Sequence, residues 1–185
     1  LYAGLSEIHR ESYHAAIAEA LETRAGAASK GPGDLDGALC VDVAEHLLKG
    51  GEGRRALRYV DAALTHLERS YLNGAAARLA GRVLGVPGLL AGAARVPMLL
   101  RRAARLETLG SVAEERGVVD EACRVADLSA DPALRARAKR AHAWNLSRMF
   151  ELPAAEQAFT EAVAIARETD DLAGEEAATR GLAGV

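Results

Sequence analysis

Apolar residues recur along this chain every three to four positions, and residues that cap or break helices interrupt the pattern at short intervals. This spacing is typical of amphipathic α-helices that bury one face. It predicts nine helical segments. The first runs from about Glu7 to Arg24, with Ile8, Ile17 and Leu21 on one stripe, and the third from about Arg54 to Ser70.

Capping residues indicate where several of these helices begin. Ser111 and Glu114 have the spacing of a capping box at the start of the sixth helix. Pro97 fits the first position of the fifth helix. The other expected N-caps are Ser6, either Asp34 or Asp36, Asn73, and Asp131 followed by Pro132.

The connections between most predicted helices are so short that neighbouring helices must lie antiparallel, as hairpins. We expect one all-α domain over residues 1–185, and only the Gly- and Pro-rich segment 85–97 interrupts it. The chain begins at Leu1 almost within a helical pattern, which suggests a piece of a longer protein. The predicted hairpins cover roughly residues 6–50, 54–86, 97–130 and 132–170, followed by a terminal helix at 172–185.

The sequence repeats itself weakly when it is shifted by 40 residues. Small residues align with small ones and large apolar residues with large ones, as expected where helices cross closely. The aligned pairs are Ala103 with Ala143, Leu106 with Leu146, Leu109 with Met149, Val112 with Leu152, Val119 with Phe159, Ala122 with Ala162, Val125 with Ile165 and Ala126 with Ala166.

This pattern resembles the tetratricopeptide repeat, in which a small-x2-large motif precedes Ala-x3-Phe-x2-Ala. The last copy has Ala155, Phe159 and Ala162 in the second motif, whereas Glu115 replaces the preferred alanine in the copy before it. The resemblance implies a right-handed α-solenoid of antiparallel hairpins, about nine helices in all. The period of 40 implies long helices, and HEAT-type repeats remain an alternative.

An earlier stretch fits the same repeat but in a different phase. It comprises Ala44, Leu47, Gly51, Ala56, Val60 and Ala63. The distance from Ala44 to Ala103 is about one and a half periods, so strict alternation cannot accommodate both copies. We favour pairing the first helix with the second and the third with the fourth, which gives Leu64, Ala76 and Val83 the key positions of the second hairpin.

A second resemblance concerns the context of the chain. The segments Tyr13–Glu22, Val43–Leu48, Ala56–Tyr59 and Tyr71–Asn73 look like the repeat arm of bacterial signal-transduction ATPases. Similar arms are attached to some bacterial Ser/Thr kinases and transcriptional regulators. The resemblance implies a cytoplasmic sensor or scaffold arm.

Composition and motifs narrow the function classes. Net charge is −3 and aromatics make up only 4% of the chain, which disfavours nucleic acid as a partner. The apolar run Leu89–Leu100 is too short to span a bilayer. Cys40 and Cys123 have no metal-ligand spacing, and reduced thiols are expected. None of the five histidines forms a metal or catalytic motif, so we expect no enzyme activity, metal or cofactor.

The middle of the chain is basic, whereas both ends are acidic. In the favoured pairing, the third, fifth and seventh helices line the inner wall of the solenoid, which binds peptides in this family. The inward residues expected to contact a partner are Arg58, Asp61, Glu68, Glu107, Arg137, Arg140, Trp144 and Arg148.

These residues also have a purely structural interpretation. The arginines are consistent with a solvated helix face on which each one pairs with an acidic residue one turn away. Trp144 can instead pack against the ninth helix. The expected partner is a protein or peptide, preferably an acidic one, or another domain of the parent chain. Self-association and a small-molecule-sensing role are the other functions to test.

Overall fold

The structure is a computed structural model that describes residues 6–185. This part of the chain is all-α: 82% of it is helical and it contains no strand. Its nine α-helices are α1 (Glu7–Ala25), α2 (Gly37–Lys49), α3 (Gly53–Arg69), α4 (Asn73–Gly85), α5 (Val96–Thr108), α6 (Val112–Asp127), α7 (Pro132–Arg148), α8 (Leu152–Glu168) and α9 (Leu172–Ala183).

The chain divides into two compact units. The N-terminal unit ends at Leu89 and holds α1 to α4, and the C-terminal unit runs from Leu90 to Val185 and holds α5 to α9. The division falls within the Gly- and Pro-rich segment 85–97, which includes a short 3-10 turn at Gly92–Arg95. A single domain over the whole chain therefore stays a prediction.

Several predicted caps are confirmed by backbone hydrogen bonds. The side chains of Ser6, Asp36 and Asp131 each accept from a backbone N–H in the first turn of α1, α2 and α7. This satisfies donors that the start of a helix would otherwise leave unpaired. Asp171 caps α9 in the same way.

Two other predictions about helix starts are wrong, at least in part. Asn73 is the first residue of α4 rather than its cap. Ser111 is the N-cap residue of α6, as predicted, but its side chain makes no capping bond, so the capping box does not form. Glu114 instead accepts a hydrogen bond from Arg102 of α5 at 2.5 Å, because an ion pair between the helices competes for the same carboxylate.

One turn geometry recurs at five of the connections between helices. In each, one residue adopts a left-handed conformation, and the next N–H donates to the carbonyl oxygen five residues back. This is the Schellman arrangement that closes helix C-termini. The left-handed residues are Gly51, Tyr71, Gly110, Phe150 and Asp170.

Consecutive helices of the N-terminal unit pack against each other, and the contact of α2 with α3 is the most extensive. Residues that belong to each of the two possible repeat phases are buried in this unit, so burial does not show which phase is correct. The buried set includes Ala44, Leu47, Ala56, Val60, Ala63, Leu64, Ala76 and Val83. On α1, by contrast, the predicted apolar stripe is not buried, since Ile8 is 75% and Ile17 is 42% exposed.

The C-terminal unit also packs its helices in sequence, and α7 contacts α5 and α9 in addition to its neighbours. Its core is centred on Phe159, which is fully buried. Gly181 of α9 lies so close that a Cβ at this position would overlap the Phe159 ring. The rest of this core comprises Ala143, Leu146, Ala155, Ala158, Ala162, Val163 and Ala178.

Candidate functional site

The structure separates the predicted partner-binding residues into two groups, one in each unit. Arg58, Asp61 and Glu68 lie on α3 of the N-terminal unit. The other five lie in the C-terminal unit and are Glu107 on α5 and Arg137, Arg140, Trp144 and Arg148 on α7.

Arg58 is occupied by the fold of its own unit. Its Nη2 donates to the carbonyl oxygens of Ala27 and Lys30, each at 2.6 Å. Its guanidinium carbon also lies 5.4 Å from the centre of the Tyr59 ring. Arg58 therefore links the connection between α1 and α2 to α3 through its Nη2 atom.

Asp61 shares an open pocket with Arg58, between α3 and the connection that precedes α2. The pocket has a volume of about 520 Å³ and is also lined by Thr65, His66 and Arg69. Glu68 is half-buried and is not among the lining residues. The predicted residues of this unit are therefore only partly brought together.

In the C-terminal unit, four of the five predicted residues line one groove, which we call the α5–α7 groove. It has a volume of about 210 Å³ and is formed by α5, α7 and the start of α6. Small side chains on α5 and α7 leave room for it. The lining residues are Leu100, Ala103, Ala104, Glu107, Glu115, Arg137, Arg140, Ala141 and Trp144.

Helical spacing explains why α7 contributes so many polar residues to this groove. Arg137, Arg140 and Trp144 are three and four positions apart and so share one face of the helix. Ala136 and Ala143 occupy a different face and are buried. The alternation that buries α7 thus also directs its arginines and its tryptophan into the groove.

Arg148, the fifth predicted residue, joins α7 to the two neighbouring helices. Its Nη1 donates to Glu107 of α5 at 2.8 Å, and its Nη2 donates to Oε1 of Glu115 on α6. Glu115 is only 2% exposed, so this is a largely buried ion pair. The sequence marked Glu115 as a departure from the repeat, but it did not indicate that Arg148 is the partner.

Arg137 and Arg140 form no hydrogen bond or ion pair with any residue in the described part of the chain. Lys139 of α7, by contrast, is paired: its Nζ lies 2.9 Å from Glu161 on α8. That hydrogen bond raises the pKa of Lys139 and lowers the pKa of Glu161. Arg137 and Arg140 therefore do not fit the alternative in which each arginine pairs with an acidic residue one turn away.

Trp144 contributes to both the core and the groove. Its ring meets the ring of Phe159 edge-to-face, with centroids 5.1 Å apart and an interplanar angle of 84°. The residue is nevertheless 40% exposed. One part of the indole is thus anchored in the core, and the rest is available to a ligand.

A buried asparagine holds α7 in place beside the groove. Asn145 is fully buried, and its Nδ2 donates to the backbone carbonyl of Val112 at 3.0 Å. The bond ties the last turn of α7 to the first residue of α6. Asn145 was not among the predicted functional residues, and its only signal in the sequence is a polar residue between Ala143 and Leu146 on an otherwise apolar face.

Reactive groups give little support to catalysis. Burial raises the pKa of the Cys123 thiol to about 12 and also raises that of Cys40, so both are poor nucleophiles. Among residues 6–185, no cluster of three or more His, Cys, Asp or Glu side chains could hold a metal ion. The helices in that range are each too short or too polar to cross a membrane.

Comparisons of this chain with protein-family models, curated proteins and solved structures found no match in any of the three. The tetratricopeptide-like assignment therefore depends on the pattern of residues alone.

Proposed function

We propose that this chain is a protein-interaction module of the tetratricopeptide type that binds an acidic peptide in the α5–α7 groove. One observation carries the proposal: Arg137 and Arg140 stand without an acidic partner among the described residues, beside a half-exposed Trp144. Arginine and tryptophan are the residue types that most often dominate binding energy at protein interfaces.

The packing of the C-terminal unit supports a solenoid arrangement for this module. Contacts of α7 with α5 and α9, in addition to those between sequential helices, are expected where every second helix lines one wall. The shared turn at Gly110, Phe150 and Asp170 gives successive hairpins the same geometry. We infer that α5 and α7 form the inner wall and present the groove to the partner.

The charges of the groove favour an acidic ligand. Three arginines and two glutamates lie in or beside the groove, which leaves a net charge of +1 there (three positive minus two negative charges). Only Arg148 is paired with these glutamates, so the excess positive charge lies with Arg137 and Arg140. Guanidinium groups bind carboxylates through paired hydrogen bonds. The groove, at about 210 Å³, is smaller than the roughly 300–1,000 Å³ of typical small-molecule sites, so it can hold only part of a longer ligand such as a peptide.

The test is calorimetric titration with a short peptide of Glu, Asp and Leu residues, amidated at its C-terminus. Its counterpart carries Gln and Asn in place of the acidic residues. We compare the wild type with Arg137→Glu/Arg140→Glu. The control, Arg124→Glu/Arg180→Glu, makes the same change in charge at exposed positions on α6 and α9.

The proposal predicts that the groove variant loses about tenfold or more in affinity for the acidic peptide, about 1.4 kcal/mol. The control variant keeps nearly all of the affinity, and the neutral peptide binds weakly to every protein. If the groove variant and the control variant lost affinity equally, net charge alone would explain the loss, and the groove would not be the binding site.

Arg148 is deliberately left intact in this test. Replacing it with glutamate would place another carboxylate beside the buried Glu115, and the resulting loss of stability would be indistinguishable from a loss of binding.

A further inference from the structure

Glu115, which lines the α5–α7 groove, has a buried carboxylate oxygen that the protein leaves unsatisfied. Oε1 of Glu115 accepts from Arg148, but Oε2 is buried and has no hydrogen-bond partner in the described part of the chain. Most buried polar atoms in proteins are hydrogen-bonded, and leaving one unpaired is destabilising. Because Glu115 lines the groove, a bound ligand can supply the missing donor.

The groove therefore favours two different ligand groups within a small volume. Arg137 and Arg140 attract an anion, whereas Oε2 of Glu115 lacks a hydrogen-bond donor. All three residues line the same space of about 210 Å³. A ligand that satisfies both must carry its donor and its anion only a few bonds apart. The α-ammonium and the side-chain carboxylate of an amino-terminal Asp or Glu residue meet this requirement.

We propose that the groove recognises the free amino terminus of a peptide that begins with an acidic residue. The α-ammonium donates to Oε2 of Glu115, and the carboxylate of the first residue contacts Arg137 or Arg140. This inference rests on the proposed function and specifies which part of the acidic peptide enters the groove.

Other donors fit less well. An internal lysine residue carries an ammonium at the end of a flexible four-carbon stem and no carboxylate, so the donor and the anion would have to come from different residues. An internal backbone N–H carries no charge, so it offers Glu115 a weaker hydrogen bond than an ammonium does. Both alternatives predict that blocking the amino terminus has no effect.

The test compares two peptides that differ only at the amino terminus. Both begin with Glu, continue with Asp, Leu and Glu residues and are amidated at the C-terminus, but one is N-acetylated. Calorimetry on the complete chain gives the affinity of each for the wild type, for Glu115→Gln and for Arg137→Glu/Arg140→Glu. Free L-glutamate is titrated as a separate ligand.

We expect the free peptide to bind the wild type about tenfold more tightly than the acetylated one, because acetylation removes the charged donor. Glu115→Gln should remove most of that difference while the protein keeps its helical circular dichroism. The amide oxygen of glutamine can still accept from Arg148, so the fold is retained. Acetylation acts on the ligand alone, so the comparison holds even if Glu115→Gln proves unstable.

Equal affinities for the two peptides would overturn this inference, and the proposed function would survive if both affinities still depended on Arg137 and Arg140. If neither affinity depended on these arginines, the proposed function would fail as well. Binding of free L-glutamate as tight as that of the peptide would also overturn the inference, since the groove would then be a site for a free amino acid.

Discussion

Arg148 on α7 donates a hydrogen bond to Glu115 on α6, and this glutamate is almost completely buried. In the 40-residue register, Glu115 corresponds to Ala155, a fully buried alanine of α8. The protein therefore places an ion pair where the next repeat has only a methyl group. The pair connects the wall of the groove to the interior of the C-terminal unit.

Removing the cation from this pair should destabilise the protein. Arg148→Met leaves a buried carboxylate without its counter-charge, and we expect a loss of about 3 kcal/mol in the free energy of unfolding. The double variant Arg148→Met/Glu115→Ala, which restores the alanine of the repeat, should recover most of it. Urea unfolding followed by circular dichroism measures both. A loss under about 1 kcal/mol for Arg148→Met would show that the pair is unimportant for stability.

Phe159 is the second point at which the account predicts a large effect. Phe159→Ala removes a fully buried ring, and the cavity should cost about 3–5 kcal/mol. The loss should also raise the exposure of Trp144, whose ring packs edge-on against Phe159. Urea unfolding measures the first effect and tryptophan emission the second. A cost under about 1 kcal/mol would contradict the assignment of Phe159 to the core.

Substitutions at two of the left-handed turn residues should shift the melting temperature in opposite directions. Phe150 has a left-handed φ of 62° and is 86% exposed, so its ring gains little burial in return. Phe150→Gly should therefore raise the melting temperature, with a gain of up to about 1 kcal/mol. Gly110 occupies the equivalent turn with φ of 68°, and a Cβ there would meet no atom within 4 Å.

Gly110→Ala is accordingly the matched control, in which only backbone strain changes. It should lower the melting temperature through a loss of about 1 kcal/mol. If both substitutions shifted the melting temperature in the same direction, the shared geometry of the two turns would not govern their stability.

Two histidines give the N-terminal unit a dependence on pH. The Nδ1 atoms of His14 and His46 lie 2.9 Å apart, so one must donate and the other accept. Burial, the other imidazole and Lys49 lower the pKa of His14 below 6.5. Burial and then Lys49 lower the pKa of His46, although Asp42 opposes this. The folded state thus prefers both rings neutral.

The sign of the effect follows from these depressed pKa values. The contribution of the two neutral histidines to stability is fully present above pH 6.5, which is the pKa of histidine in the unfolded chain. It falls as pH drops below that value, because the unfolded chain then binds more protons. The double variant His14→Gln/His46→Gln should weaken this dependence between about pH 7 and pH 5. A remainder is expected from His142, because burial lowers the pKa of that imidazole too. Thermal unfolding across this range measures the dependence, and one as steep in the double variant as in the wild type would contradict the assignment.

Much of the fold could be predicted from local sequence. Caps such as Asp131 and breakers such as Gly110 act within one turn of a helix, so their effect can be read without tertiary contacts. The burial of Phe159 followed from its place in the repeat. The capping box at Ser111 and Glu114 failed because Arg102 of another helix captures the carboxylate, which no local pattern reveals.

The candidate site was predictable only in part, for the same reason. Helical spacing predicts that Arg137, Arg140 and Trp144 share one face of α7, and in the structure all three line the groove. Arg58 fitted a similar pattern on α3, yet it bonds to the connection between α1 and α2, because that loop folds back over α3. Spacing along one helix shows which side chains share a face, but not what lies opposite them.

Trp144 reports directly on whether the acidic peptide binds in the α5–α7 groove, because it is the only tryptophan in the chain and it lines that groove. The measurement is acrylamide quenching of its fluorescence, without peptide and with the acidic peptide at saturation. The account predicts that bound peptide shields the indole and lowers the quenching constant, and that the neutral peptide at the same concentration does not. A calorimetrically saturated complex in which Trp144 is quenched as readily as in the unbound protein would contradict the account, because the peptide would then lie outside the groove.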